Sequence, residues 1–289
     1  MAENLLRGAF PLSTRALAER VGIAPMIAAA VLLLILLAAI FAPLIAPHDP
    51  IHQNPVMRLK PPSAEFWLGT DAYGRDLFSR VLYGARVSLI IGIGVTVLAV
   101  TLGLAIGLVS GFFRSADAVV MRIMDGLMAM PSVLLAIAIV SLMGASIWTV
   151  MAAITIPEIP RVVRLVRSIV LSAREEPYVE AAMSLGTSMP RILWRHLMPN
   201  TFAPLTVQAT YVCASAILTE AILSFLGAGV STETPTWGNI MAESRVYFRL
   251  MPSLILWPGL ALSLCILSIN LLGDAARDVL DPRMGKRED

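Results

Sequence analysis

Two acidic residues interrupt long apolar segments of this 289-residue chain, where chemistry inside a membrane would need them. Glu158 follows an uncharged run over residues 126–157, and Glu220 interrupts the apolar run that begins at residue 199. An ionisable group in hydrocarbon is costly and is often functional. Arg161, three residues after Glu158, supplies a helical partner. Glu220 has no such neighbour, so both acids are candidates for lining a polar path through the membrane or for a subunit interface, with helix packing between subunits preferred for Glu220.

The other reactive side chains lack the patterns of catalysis, metal binding or nucleotide hydrolysis. His48 and His52 are four residues apart, but neighbouring prolines disfavour the helix that would bring both to one metal ion. The only lysines, Lys60 and Lys286, lie outside any glycine-rich phosphate loop. We therefore predict no catalytic residue, no metal site and no cofactor, and energy for any driven step would have to come from a partner or an ion gradient.

The composition indicates an integral membrane protein. Hydrophobic residues make up 57% of the chain and charged residues 15%, with a mean hydropathy of +0.77. A soluble domain of this length needs far more charged surface. The formal net charge of +2 is too small to suggest a nucleic-acid partner.

Apolar runs of about 20 residues, which match a bilayer core of roughly 30 Å, predict an all-α polytopic protein with six transmembrane helices. The third and fourth spans share the uncharged run 126–157 and are divided by a tight turn at Gly144–Ser146. The predicted parts are a cytoplasmic N-terminal tail (1–23), the first span (24–46), a periplasmic loop with an interfacial helix (47–86), a five-helix core (87–273) containing a cytoplasmic loop (169–199), and a cytoplasmic C-terminal tail (274–289). Six spans place both termini on one side, and most of the 22 basic residues then lie inside, as the positive-inside rule requires.

The longest charged interruption of the second half, residues 174–200, is predicted to form two short cytoplasmic helices. Pro177 suits a first helical turn, and Gly186 stands where a helix commonly ends. Tyr178, Ala181, Ala182 and Leu185 are spaced as one apolar face. A second helix, capped by Thr187 or Ser188, places Trp194, Leu197 and Met198 on one face and Arg191 and Arg195 on another. Spacing alone leaves two alternatives, an amphipathic connector on the membrane surface and a docking element for a cytoplasmic partner.

A second polar stretch precedes the second span on the outer side. Thr70 or Asp71 is predicted to start an outer helix with an apolar patch at Leu77, Phe78, Val81 and Leu82. Its polar face would consist of Asp71, Arg75, Asp76 and Arg80. That helix is an interfacial helix on the outer leaflet, or an outer gate or platform for a binding protein.

Several segments carry a family resemblance. "EAAMSLGTSMPRILWRHLMP" (180–199) resembles the EAA loop of ABC importer permeases and is closest to the dipeptide, oligopeptide and nickel branch. "LGTDAYGRDLFSRVLYGARVSL" (68–89) is similar to that branch's "LGTDxxGRDxxSRxxYGxRxSL" pattern. "EAILSFLGAGV" (220–230), "PTWGNIMAES" (235–244) and "NLLGDAARDVLDPR" (270–283) agree with it. His196 and Met198 stand where the general EAA pattern has Ile and Leu. This departure narrows the resemblance to that branch of the family. The closest type is the second of the two permease subunits.

The resemblance implies a type I ABC importer permease fold in the bacterial inner membrane. It implies a heterodimer with a homologous permease, two cytoplasmic ATPase subunits and a periplasmic or lipoprotein substrate-binding protein. It makes residues 175–199 the coupling segment, with ATPase-coupling residues Glu180, Ala181, Ala182, Leu185, Gly186, Arg191 and Pro199. The cargo would be di- or oligopeptides or a related small solute, including a nickel chelate.

Two hypotheses from other classes remain at this stage. A stand-alone ion-coupled carrier would use Glu158 and Glu220 for coupling and would need no capped cytoplasmic loop. A membrane enzyme would need a catalytic cluster within the spans, which the sequence does not show.

Overall fold

The computed structural model describes residues 22–280, and this part of the chain is helical without a β-strand. Its α-helices, in chain order, are α1 (Ile23–Ile40), α2 (Ala42–Ile45), α3 (Leu77–Phe112), α4 (Arg114–Ala129), α5 (Ser132–Met143), α6 (Ile147–Ala173), α7 (Pro177–Ser184), α8 (Met189–Ile192), α9 (Phe202–Phe225), α10 (Trp237–Ser244) and α11 (Ser253–Leu280). The predicted N-terminal tail lies almost wholly outside the described residues, as do residues 281–289 of the predicted C-terminal tail. The first residues of that tail, 274–280, continue α11 as helix, so the helix itself does not end at Gly273.

Four helical stretches are long and apolar enough to cross a membrane: Ile23–Ile40, Leu77–Phe112, Met189–Phe225 and Ser253–Leu280. They correspond to the predicted first, second, fifth and sixth spans. The predicted fourth span is α6, a 27-residue helix that carries Glu158 and several arginines and so falls short on apolarity alone. As predicted, α6 begins after a tight turn, in which Gly144 has a φ of 86° and Ser146 caps the helix.

The predicted third span is not a single straight helix. The 12 residues of α5 cover about 18 Å, well short of the hydrocarbon core. They meet α4 at a 90° bend, and the two helices pass as one span only when taken together, as a broken span or a re-entrant loop. The bend falls at Met130 and Pro131, where proline removes a backbone donor and restricts the residue before it.

The core joins α3 to α6 through a row of glycines. A Cβ at Gly103 would lie 2.5 Å from the Cβ of Val162, and a Cβ at Gly107 would lie 2.7 Å from that of Val166. Gly103 and Gly107 form a small-xxx-small pair that lets the two helices approach closely, and Gly111 extends the row. A second apolar cluster packs α1, α3, α9 and α11 together. Since the 24 residues of α9 span about 36 Å between α7 and α10, these two short helices lie at opposite ends of the bundle.

Candidate functional site

At one end of the bundle, α7 is closed at both ends by local sequence. Pro177 occupies its first turn, where the missing N–H costs nothing. Gly186 adopts a φ of 74° after the last turn. The N–H of Gly186 then donates to the Met183 carbonyl (2.9 Å) and that of Thr187 to the Ala182 carbonyl (3.0 Å). These bonds satisfy carbonyls that a helix end otherwise leaves unpaired, so the predicted boundaries of this helix are confirmed.

Two side chains attach α7 to the rest of the molecule. Val179 and Ala182 are buried. Val179 belongs to the main apolar cluster, which also contains Val170 and Ala173 at the end of α6. Asn200 reinforces the attachment by donating to the Tyr178 hydroxyl at 2.9 Å. Val179 thus packs α7 into the same apolar cluster as the end of α6.

The remaining surface of α7 is open. Of the predicted apolar face, Ala182 is buried, whereas Tyr178, Ala181 and Leu185 are exposed, with Leu185 86% exposed. Of the predicted coupling residues, all except Ala182 are exposed: Glu180, Ala181, Leu185, Gly186, Arg191 and Pro199.

The segment after Gly186 forms a less regular structure than the predicted second helix. Ser188 precedes α8 and a proline occupies its first turn, as predicted, but the chain then passes through a π-helical turn, Leu193–Leu197. Leu197 is buried whereas Trp194 is 70% exposed, so the predicted face shared by these two residues is wrong. The extra residue in a π turn rotates the side chains that follow it.

At the opposite end, four charged residues form a buried network. The Asp71 carboxylate accepts bonds from Arg75 Nε (2.6 Å) and Arg80 Nη1 (2.7 Å). Glu243, from α10, pairs with Arg75 and lies 3.1 Å from Arg80 Nη2. Two carboxylates and two guanidiniums balance in charge, which makes their burial tolerable.

This network corrects the predicted outer helix. Asp71 and Arg75 lie in the turn that precedes α3, and α3 begins only at Leu77. Asp76 is its N-cap, accepting from the Ser79 N–H at 3.0 Å and from the Ser79 hydroxyl at 2.6 Å. The four predicted polar residues are buried rather than solvated, and the helix continues without a break into the second span.

Burial raises the pKa of the Glu243 carboxyl to about 7, although Arg75 opposes the rise and Asp71 adds to it. Glu243 lies in the segment between α9 and α11, outside the long membrane helices. Its protonation would weaken the tie between α10 and the segment before α3, because a neutral acid holds the two arginines less strongly.

The motif-like segments of the sequence meet at this end. The Trp237 indole donates to the Val81 carbonyl at 3.1 Å, joining α10 to α3. A Cβ at Gly238 would lie 2.7 Å from Ala221 Cα, so α10 packs directly on α9. Residues 68–89, 220–230 and 235–244 therefore form one packed unit.

The two acids within the long helices are held inside the chain. Glu220 is fully buried, with Ser224 at 2.7 Å and Ser88 at 3.2 Å as donors. This arrangement corrects the preferred subunit-interface role, since a partner subunit could reach Glu220 only if these helices separated. Glu158 accepts from Arg161 at 3.2 Å, as predicted, and also from Ser215 at 2.9 Å.

Glu243 is a site residue that could not be predicted from the sequence, where its only signal is its position within the motif-like stretch 235–244. Its pairing with Arg75 joins residues 168 positions apart, and no local spacing rule reports such a distance. Among the described residues, no group of three or more His, Cys, Asp or Glu side chains could hold a metal ion.

Long apolar helices, a capped helix exposed at one end and a closed charged network at the other define a polytopic membrane protein. Comparison with known proteins gives the family. Residues 84–286 match the model of the binding-protein-dependent transport system inner membrane component, and residues 24–62 match the N-terminal transmembrane domain of oligopeptide transport permease C. The chain belongs to this family of ABC transporter permeases.

Individual relatives cover most of the chain. It is 52% identical over 251 residues to a probable peptide ABC transporter permease of Sinorhizobium fredii, across 87% of this chain and 86% of that protein. It is 44% identical to a dipeptide transport system permease of Alkalihalophilus pseudofirmus, across 86% and 82%. It is 39% identical to a glutathione transport system permease of Pectobacterium atrosepticum, across 89% and 87%. These relatives support the importer-permease interpretation and not the stand-alone ion-coupled carrier.

Proposed function

We propose that this chain is one of two homologous permease subunits of an ATP-driven importer in the bacterial inner membrane, with both termini in the cytoplasm. Two separate ATPase subunits supply the energy, and one of them binds residues 175–199 of this chain. A binding protein delivers the cargo to the outer face. The relatives, which are described as peptide, dipeptide and glutathione permeases, support a peptide or a related small solute as cargo.

The observation that carries this proposal is the way α7 is mounted. It is fastened to the end of α6 by Val179 and Ala182, while Glu180, Ala181 and Leu185 stay open. An exposed large apolar side chain beside small residues favours a protein partner that approaches closely.

The packing supplies a path for mechanical coupling. A force on α7 reaches α6 through Val179, and α6 contacts α3 along the glycine row. Tightly packed helices move as rigid bodies between a few arrangements. Closure of the ATPase dimer would therefore shift α6 against α3 and favour the outward-open state, and nucleotide release would reverse the shift.

The test is a charge placed on the exposed surface of α7. Leu185→Asp and Glu180→Lys should leave the permease folded, because both side chains point outward. Burying one leucine is worth about 1.5–3 kcal/mol, so Leu185→Asp is expected to weaken ATPase association roughly tenfold or more. The measurements are co-purification of the ATPase subunits and ATP-dependent peptide uptake in proteoliposomes.

The matched control is Glu233→Lys, which makes the same charge change at an exposed residue of the α10 end. It should retain the ATPase subunits fully. Gly186→Pro, which disturbs the end of α7 without altering charge, should leave ATP hydrolysis running but uncoupled from uptake. Normal retention and uptake in Leu185→Asp and Glu180→Lys would rule out residues 175–199 as the coupling segment.

A further inference from the structure

A cavity of about 420 Å³ opens beside the charged network at the α10 end. Its walls include Gln53, Arg58, Tyr73, Glu243, Val246 and Tyr247. This volume lies within the roughly 300–1,000 Å³ typical of small-molecule sites. The cavity is remote from α7, so the coupling function does not account for it.

One wall carries an available carboxylate oxygen. Both arginines of the network contact Oε2 of Glu243. Within residues 22–280, Oε1 of Glu243 has no hydrogen-bond partner, and the side chain is still 16% exposed where it lines the cavity. A carboxylate oxygen in this position accepts from an ammonium group, in a charge-assisted bond stronger than a neutral one.

A second wall carries a guanidinium with spare donors. Arg58 donates from Nη2 to the Tyr247 hydroxyl at 2.6 Å, and its Cζ lies 5.6 Å from that ring centroid. In the described part of the chain Arg58 has no carboxylate partner. Guanidinium has five N–H donors, so a ligand carboxylate can still be bound in a two-pronged contact.

We propose that this cavity binds a short zwitterionic peptide, with its α-ammonium group at Glu243 and its terminal carboxylate at Arg58. Tyr73 and Tyr247 flank the bound backbone. The inference rests on the proposed importer function and adds to it a recognition step by the permease itself, which selects cargo with both termini free. A zwitterion carries no net charge, so its binding leaves the net charge of the cavity unchanged.

The test measures binding of alanyl-alanine to the full-length chain, co-purified with its second permease subunit in lipid nanodiscs without binding protein. N-acetyl-alanyl-alanine and alanyl-alanine amide are the blocked comparison ligands. Loss of one charge-assisted contact corresponds to roughly tenfold in affinity. The unmodified dipeptide should therefore bind about tenfold more tightly than either blocked form, as measured by calorimetry.

Two variants test which residue of the cavity binds which end of the ligand. Arg58→Gln, at an exposed position, should abolish the preference for the free acid over the amide and keep the preference for the free amine. Glu243→Gln should do the reverse. Arg245→Gln, an exposed arginine beside α10 that does not line the cavity, is the matched control and should behave as wild type.

Two results would overturn the site: no saturable binding of alanyl-alanine, or equal binding of the free and blocked dipeptides. Neither would touch the importer function, which is decided separately by ATPase retention and ATP-dependent uptake in the assembled complex. Conversely, charge-selective binding in a complex whose uptake ignores Leu185→Asp would keep the site and reject the coupling segment. The blocked ligands require no mutation, so the test does not depend on how well Glu243→Gln folds.

Discussion

At the scale of single residues, the two acids within the long helices have hydrogen-bond partners inside the chain. Glu158 and Glu220 both have serine donors from a neighbouring helix, Ser215 and Ser88 respectively. Such bonds offset much of the cost of a buried acid. The two acids thus hold helices together, and the charges open to a ligand lie at the α10 end.

Glu243 should make the stability of the protein depend on pH. Its pKa is raised from 4.5 to about 7 in the folded protein, so the folded state binds a proton more readily than the unfolded one. The resulting stabilisation is fully present below about pH 4.5 and is lost as pH rises through 7. Relative to Glu243→Gln, which cannot titrate, wild type should gain melting temperature as pH falls from 8 to 5.

Melting curves of the detergent-purified protein between pH 5 and 9 would measure this difference. The exposed acid variant Glu233→Gln is the control, and its difference from wild type should stay flat. A Glu243→Gln difference that is equally flat, or that favours wild type more at high pH, would contradict the raised pKa.

At the scale of elements, local signals in the sequence predicted helix ends better than helix packing. Pro177 and Gly186 define α7 because each acts through its own backbone, and Ser146 caps α6 for the same reason. The start of α3 was wrong because Asp71 and Asp76 are both good caps, and only the buried pairing of Asp71 with distant arginines decides between them. The bend at Pro131 was not predicted, because it lies within the run 126–157, which is uncharged throughout and gives no signal of a break.

The contact between α3 and α6 depends on the absence of side chains along the glycine row. Gly107→Ala would place a Cβ 2.7 Å from the Cβ of Val166 and 3.0 Å from the Val163 carbonyl oxygen. We expect it to destabilise the protein by about 1–3 kcal/mol, as overpacking does. The measurement is the melting temperature of the purified permease.

Gly126→Ala supplies the matched control, because a Cβ at this helical position meets nothing within 4 Å. Alanine has the higher helix propensity by about 1 kcal/mol, so this variant should be neutral or slightly more stable. Shifts of the two melting temperatures in the same direction would show that the glycine row is not a packing constraint.

At the scale of the whole molecule, the class of protein and its two functional ends could be read from the sequence, while their geometry could not. The signals that predicted them are the lengths of apolar runs, the positions of proline and glycine, and motif-like segments. Each of these is a local or compositional property of the sequence. The Arg75–Glu243 pair joins segments that only the assembled bundle brings together. The same limit applies to Glu220, whose partner Ser88 lies 132 residues away.

The remaining prediction concerns how the bundle lies in the membrane. If the bent pair α4 and α5 crosses as one broken span, α6 starts on the outer side and ends beside α7 in the cytoplasm. Single cysteines at the exposed positions Ala145, Ser184 and Ser231 report this arrangement, in a background with Cys213 and Cys265 replaced by alanine. A membrane-impermeant maleimide added to intact spheroplasts should label Ala145→Cys and Ser231→Cys, and should reach Ser184→Cys only after the membrane is opened. Labelling of Ser184→Cys in intact spheroplasts would reverse the proposed orientation, whereas protection of both Ala145→Cys and Ser184→Cys would place both ends of α6 on the cytoplasmic side and contradict its assignment as a span.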